Sequence, residues 1–148
     1  MEEEICEVPL HHVKDEIIEK VLKESKTIAV FGLSTSPEKD SHKVAAFLQK
    51  KGYRVIPVHP KAGEILGERA YASLRDIPEK IDVVNIFRPP SEVMGIVDEA
   101  LDIGAKAVWA QEGIVNNAAA EKAMANGMIS IMGKCMMKEY VAHFEREK

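Results

Sequence analysis

An α/β protein built on a parallel sheet is the fold class this 148-residue sequence predicts, and three observations predict it. Five short apolar runs of strand length recur along the chain. Between them lie segments of about ten residues whose apolar positions repeat with a helical period. Glycine or proline closes most segments, so each element stops where the next begins. Strands that alternate with helices build βαβ units. Their right-handed crossovers give a parallel sheet covered on both faces.

The chain begins with the acidic stretch Met1-Glu2-Glu3-Glu4-Ile5-Cys6. Behind it Val13, Ile17, Ile18, Val21 and Leu22 share one face of a helix. Residues 1–25 therefore read as an appended helical segment packed on a core of residues 26–148, within a single domain. The first strand is Thr27–Phe31. A helix over Ser41–Lys51 turns Val44, Phe47 and Leu48 inward and stops at Gly52. The second strand, Tyr53–Val58, is closed by His59-Pro60, and the excursion over 62–78 holds a short helical turn at Ser73–Ile77. The third strand is Asp82–Phe87, ended by Pro89-Pro90. Val93, Ile96, Val97, Ala100 and Leu101 then fall at i, i+3, i+4, i+7 and i+8, and Gly104 ends that helix. The fourth strand, Ala107–Ala110, leads to a helix over Asn117–Asn126 that Gly127 stops. The fifth is Met128–Met132, and a last helix from Lys134 points Met137, Tyr140, Val141 and Phe144 inward. Taken in the order 3-2-1-4-5, these strands make a Rossmann-like, doubly wound, five-stranded parallel sheet with an appended N-terminal helix. Ligands of such sheets bind beyond the carboxyl ends of the strands, beside strand one.

Composition narrows the function classes. With 46% hydrophobic and 30% charged residues, the chain has the balance of a soluble globular protein, which sets aside disordered and fibrous classes. A net charge of -4 argues against a general nucleic-acid binder, which would carry an excess of Lys and Arg. No apolar run reaches the roughly 18 residues that a membrane span needs. The acidic start is unlike the basic leader of a secretory signal, so the expected location is cytoplasmic. Cys6 and Cys135 without a CxxC, and histidines without HxxxH or HExxH, predict neither a disulfide scaffold nor a metal site.

Chemistry is therefore sought just after each strand. The first strand is followed by Gly32-Leu33-Ser34-Thr35-Ser36-Pro37. Gly32 permits a tight turn and a close backbone approach, and Ser34, Thr35 and Ser36 offer hydroxyl and amide donors. The next helix aims its positive end at the same place, and Lys39 and Lys43 add charge. The loop reads as a cradle for the phosphates of a nucleotide-like ligand, or else as a solvated polar loop with a serine cap. After strand two stand His59-Pro60-Lys61, where dinucleotide enzymes place a carboxylate on the ribose. That carboxylate is missing, as are the second and third glycines of GxGxxG, which argues against ordinary NAD binding. Lys61 suits a ligand with an additional phosphate near its ribose; the alternative is a plain surface lysine. After strand three, Phe87-Arg88-Pro89-Pro90 offers an apolar wall and a bidentate phosphate partner, or simply a proline stop. After strand four, Glu112 is an acid/base candidate beside Gln111 and Trp109, set against a buried Trp and a polar turn. After strand five, Cys135 is a candidate thiolate near a helix start, set against an inert cysteine among Met132, Met136 and Met137. No nucleophile–base pair is tied together by spacing, so no catalytic residue is assigned.

Several of these pieces, taken in order, resemble the CoA-binding domain family. They are Val30-Phe31-Gly32-Leu33-Ser34, the run from Gly52 to Lys61, Ile65-Leu66-Gly67-Glu68, the run from Val84 to Pro90, and the run from Ala105 to Gly113. Members of this family are small Rossmann-type proteins similar to the N-terminal part of the succinyl-CoA synthetase α subunit, and the resemblance covers residues 26–139. It implies coenzyme A as cofactor, lying over Gly32, Ser34, Thr35, Ser36 and Pro37, then Pro60 and Lys61, then Phe87, Arg88 and Pro89. Lys43 completes the expected binding set. CoA carries a 3′-phosphate on its ribose, which agrees with Lys61 in the place of the carboxylate. Two positions depart from the family's pattern: His59 stands where relatives commonly have Asn, and Gly133 where they often have Asp. The synthetase acts through a phosphorylated His in a second domain, so its ligase activity is not expected here. The function expected is a CoA- or acyl-CoA-binding protein, a non-catalytic carrier or sensor, with no nucleic-acid or membrane partner. A mixed disulfide between CoA and Cys135 is a related expectation. The rivals are an NAD(P)- or CoA-linked enzyme using Glu112 or Cys135, and a protein-interaction module whose cleft is vestigial.

Overall fold

The computed structural model describes residues 8–61 and 63–145; Cys6 lies outside them. Helix α1 (Asp15–Glu24) is followed by β1 (Thr27–Phe31), α2 (Asp40–Lys50) and β2 (Arg54–Val58). An antiparallel hairpin of β3 (Glu64–Ile65) and β4 (Glu68–Arg69) comes next, then a 3-10 turn at Leu74–Asp76. β5 (Val83–Ile86), α3 (Pro90–Asp102), β6 (Ala107–Ala110), α4 (Asn117–Ala125), β7 (Ile129–Ile131) and α5 (Met136–Tyr140) follow. The chain then widens into a π turn over Val141–Glu145.

The main sheet runs β2-β1-β5-β6-β7, each neighbouring pair parallel. Successive residues of a strand face opposite sides, so a sheet covered on both faces needs apolar residues at every position. β5 and β6 are accordingly buried along their whole length. Ala29, Val84 and Val108 pack on one side against Val93, Val97 and Ala120 of α3 and α4. Ile28, Val83 and Trp109 pack on the other side, with Ile18, Val44 and Met136 of α1, α2 and α5.

The α/β class, the five parallel strands and the appended helix are as expected, but the strand order is corrected. Counted along the chain it is 2-1-3-4-5, because β5 pairs with β1 on the side away from β2. The reason lies in the excursion after β2. There Tyr71 makes a single parallel bridge to Val58: its N–H donates to the Pro57 carbonyl at 3.0 Å, and its carbonyl accepts the His59 N–H at 2.8 Å. That bridge occupies the outer edge of β2, where the doubly wound order places its third strand. The surrounding Ala70-Tyr71-Ala72 has no β-branched run to extend the pairing. The strand at Val83–Ile86 is thus the fourth position of that order, and the third is reduced to one residue.

Two smaller differences concern local geometry. The hairpin turns on Leu66 and Gly67, both at positive φ (55° and 75°), a two-residue turn of the kind that usually carries Asn-Gly. Gln49 of α2 holds it by donating to the Leu66 carbonyl at 2.9 Å. At the C-terminal end, Val141 and Phe144 are not inward as expected but 37% and 41% exposed. The π turn shifts these positions out of the 3.6-residue register, leaving the Phe144 ring at the rim, 5.0 Å from that of Tyr140. Among the described residues no helix is long and apolar enough to cross a membrane.

Candidate functional site

The carboxyl ends of β1, β2 and β5 converge on a cleft of about 450 Å³. Gly32, Leu33 and Ser34 line it from the turn after β1, and Val58, His59 and Pro60 from the end of β2. Ala72 follows the bridge residue, and Arg88 and Glu92 close the cleft from the start of α3. Gly32 is what lets these segments meet. Its φ is +89°, and a Cβ there would lie 2.7 Å from the Phe87 carbonyl oxygen and 2.8 Å from Arg88 Cδ. Its N–H donates to the Val58 carbonyl at 3.2 Å, which ties the end of β1 to the end of β2.

The serine loop is ordered by its own hydroxyls. Buried Ser41 accepts the Ser34 N–H through Oγ at 2.9 Å, and Ser34 Oγ accepts the Ser36 N–H at 3.0 Å. His42 Nδ1 lies 2.8 Å from the Ser34 carbonyl and so donates to it. A hydroxyl accepts and donates at once, so Ser34, on the cleft wall, keeps its own proton to offer. At the end of β2, the Lys61 N–H donates to His59 Nδ1 at 3.0 Å. This is the side-chain-to-backbone bond, two residues on, that an Asn makes in an Asx turn, and the imidazole supplies it here. Arg88 forms a bidentate fork on Glu92, Nε to Oε1 at 3.0 Å and Nη2 to Oε2 at 2.7 Å. That hydrogen-bonded fork holds the Glu92 carboxyl below its usual range, outweighing partial burial, and raises Arg88 above its own.

A second cleft of about 250 Å³ lies toward β6 and α5. Its lining includes Lys43, Phe87, Gln111, Glu112, Cys135 and Lys138. Phe87 lines this cleft and Arg88 the first, so this dipeptide stands between them. The floor is fixed by buried polar groups. Gln111 Nε2 donates to Asn85 Oδ1 at 2.7 Å, while Gln111 Oε1 accepts the Met136 N–H at 3.3 Å. Trp109 is fully buried, as the structural reading of that position has it, and its Nε1–H donates to the Lys134 carbonyl at 2.9 Å. Cys135 is a free, buried thiol. Glu112 is exposed and ion-paired with Lys138 at 2.8 Å, a bond that raises the lysine's pKa.

The expected binding residues therefore divide. Gly32, Ser34, Pro60 and Arg88 line the first cleft, and Lys43 and Phe87 the second. Thr35, Ser36, Pro37, Lys61 and Pro89 belong to the same loops but line neither; all except Ser36 are exposed. Sequence reasoning missed Glu92, His59 and Ala72 as lining residues. Glu92 had a signal, a carboxylate four residues after Arg88. Ala72 had none, because the bridge that positions it spans one residue. Glu112 and Cys135, rivals unlinked by spacing, share the second cleft. Among the described residues there is no group of three or more His, Cys, Asp or Glu side chains able to hold a metal ion.

Comparison with known proteins gives a consistent picture. A family model described as "CoA binding domain" matches residues 26–141. The uncharacterized protein YneT of Bacillus subtilis (strain 168) is 41% identical over 126 residues, which cover 85% of this chain and 91% of YneT. The ADP-forming acetate–CoA ligase II of Archaeoglobus fulgidus is 31% identical over 83 residues, 55% of this chain but only 12% of the ligase. Among solved structures, a hypothetical protein from Pyrococcus horikoshii OT3 superposes with a TM-score of 0.86 at 41% identity, over 96% of this chain and 98% of that one.

Proposed function

The chain belongs to the CoA-binding domain family, and from that premise we propose that it holds coenzyme A or an acyl-CoA across the two clefts. One observation carries the reading. The first cleft joins a glycine-tight turn, a serine hydrogen-bonded to the first turn of the 11-residue helix α2 and an arginine, with no carboxylate directly after β2 to clasp a nicotinamide cofactor's ribose. The pyrophosphate lies over Ser34, whose hydroxyl keeps a proton to donate and whose N–H is tied to Ser41 at the positive dipole end of α2. The adenosine 3′-phosphate lies by Lys61, on the exposed rim. The pantetheine arm passes Phe87 into the second cleft, which accounts for Lys43 and Phe87 lying there rather than in the first. The protein acts as a cytoplasmic carrier or sensor. Glu112, the acid/base candidate of the second cleft, is engaged by Lys138. The ligase reaction of the longer relatives is not part of this reading.

Calorimetric titration tests it. CoA should bind about tenfold more tightly than dephospho-CoA, the scale of one charge-assisted hydrogen bond. Lys61→Ala should erase that preference while leaving dephospho-CoA binding unchanged. Binding of NAD in place of CoA would overturn the assignment. A second reading, a CoA-linked reaction, has one observation in its favour: Glu112 and Cys135 line the same cleft. It is distinguished by acyl-CoA turnover that Cys135→Ala or Glu112→Gln abolishes.

A further inference from the structure

We propose that Glu92 sets the affinity and selectivity of the first cleft, as a resident carboxylate that occupies Arg88 until a polyphosphorylated ligand takes its place; this rests on the CoA reading above. Arg88 crosses directly over the β1 turn, as the position of its Cδ against Gly32 shows. Its guanidinium then reaches forward to Glu92, in the first turn of α3. Pro89 and Pro90 stiffen the backbone between the two, Pro90 being the first helical residue. The pair is therefore set by the junction into the helix. Both side chains are 44% exposed and both line the cleft, so the carboxylate faces the space a phosphate would enter.

The chemistry follows from the donors. A guanidinium presents five N–H groups, and Glu92 takes the Nε–Nη2 edge, one of those that grips a phosphate bidentately. A phosphate that uses this edge must displace Glu92, and one that does not sits beside an ionised carboxylate. The pair keeps this wall of the cleft electrically neutral in the absence of ligand. A singly charged anion gains little by breaking the fork. A ligand bringing a pyrophosphate replaces one carboxylate with a denser charge and gains more.

Titration of five proteins with CoA, and separately with inorganic pyrophosphate, tests the idea: wild type, Glu92→Gln, Glu92→Ala, Arg88→Ala and the Glu92→Gln/Arg88→Ala double variant. Glu92→Gln should bind CoA and pyrophosphate roughly two- to fivefold more tightly, the scale of releasing Arg88 from one exposed ion pair. Glu92→Ala should change affinity in the same direction, and the gain should vanish in the Arg88→Ala background. Unchanged or weaker binding by Glu92→Gln, or an equal gain without Arg88, would overturn the proposal while leaving CoA binding intact. Failure of CoA to bind both wild type and Glu92→Gln would remove the CoA reading together with this one. Both substitutions are at exposed positions, and the signal of the buried Trp109 reports whether each variant is folded.

Discussion

A methyl group on Gly32 would press on the Phe87 carbonyl oxygen at 2.7 Å and on Arg88 Cδ at 2.8 Å, with the backbone at φ +89°, where side chains are strained. Arg88 Cδ can swing aside, but the Phe87 oxygen belongs to the backbone leaving β5. Gly32→Ala should therefore destabilise the fold by about 1–3 kcal/mol, the range for a strained backbone position. It should also weaken CoA binding beyond measurement even where the fold survives, because Ser34 and Arg88 would move apart. Urea denaturation followed through Trp109, the sole Trp, gives the first value, and calorimetry gives the second. A variant with wild-type stability and affinity would show that the close approach is not required. The sequence marks this glycine plainly, since a lone Gly after an apolar strand has few other uses. It does not reveal that Ser41 and Ser34 direct their oxygens to the loop's own amides. Which acceptor a serine serves depends on the path of the loop, and no spacing rule encodes that path.

Helix α1 is fastened to the sheet by a bond to one of its orphan terminal carbonyls. The chain leaves the helix at Ser25, so the Leu22 carbonyl is one of its last four and lacks the intrahelical partner that the Lys26 N–H would be in a longer helix. That N–H donates instead to Asp82 Oδ2 at 2.8 Å, and the Tyr53 hydroxyl donates to Leu22 in its place. Burial pushes the Tyr53 hydroxyl up to about 12, and Tyr140 nearby adds to the rise. Between about pH 10 and 12 the unfolded chain loses this proton while the folded protein keeps it, so stability falls as pH rises through that window. Lys51, raised by its bond to Glu145, acts in the same direction, so a variant is needed to isolate Tyr53. Tyr53→Phe should lower stability by about 1 kcal/mol at pH 7 and show a shallower loss from pH 10 to 12. Urea midpoints at the two pH values check this, and identical alkaline slopes would count against it. Element by element, legibility followed the sharpness of the local signal. β1 and β6 fall at the residues expected because each is an apolar run bounded by polar or glycine positions. The hairpin stayed hidden because Leu66 stands where the turn normally carries Asn. The last helix misled because its α-helical pattern continues through residues that adopt a π turn.

For the molecule as a whole, the alternation of strand and helix conveys the layers but not the order of strands, since the edge β2 presents is filled by one bridge at Tyr71. The same bridge matters for binding. It seats Ala72 on the cleft wall, so the cleft is assembled from the turn after β1, the end of β2, the bridge segment and the start of α3. These segments are distant in sequence and joined by backbone bonds around Gly32: its N–H to the Val58 carbonyl, the Phe87 N–H to the Phe31 carbonyl and the His59 N–H to the Tyr71 carbonyl. A ligand spanning them adds links that local opening must break, and mass action adds about 2.7 kcal/mol at a ligand concentration 100-fold over Kd. Hydrogen exchange with and without CoA should therefore slow the amides of 32–41, 58–61 and 87–92 together, since they are sequestered by one event. A separate groove of about 300 Å³ at the amino ends of the strands, lined by Lys23, Lys26, Lys51 and Phe144, supplies the internal control. It is cationic and aromatic, so a ligand attracted only by charge has a competing destination there. Slowing confined to residues 22–26, 51–53 and 140–144 would move the ligand to that opposite end, and no slowing anywhere would mark the upper cleft as vestigial. Coordinated slowing at the three upper segments, with the lower groove unchanged, is the pattern that a ligand seated at Gly32 requires.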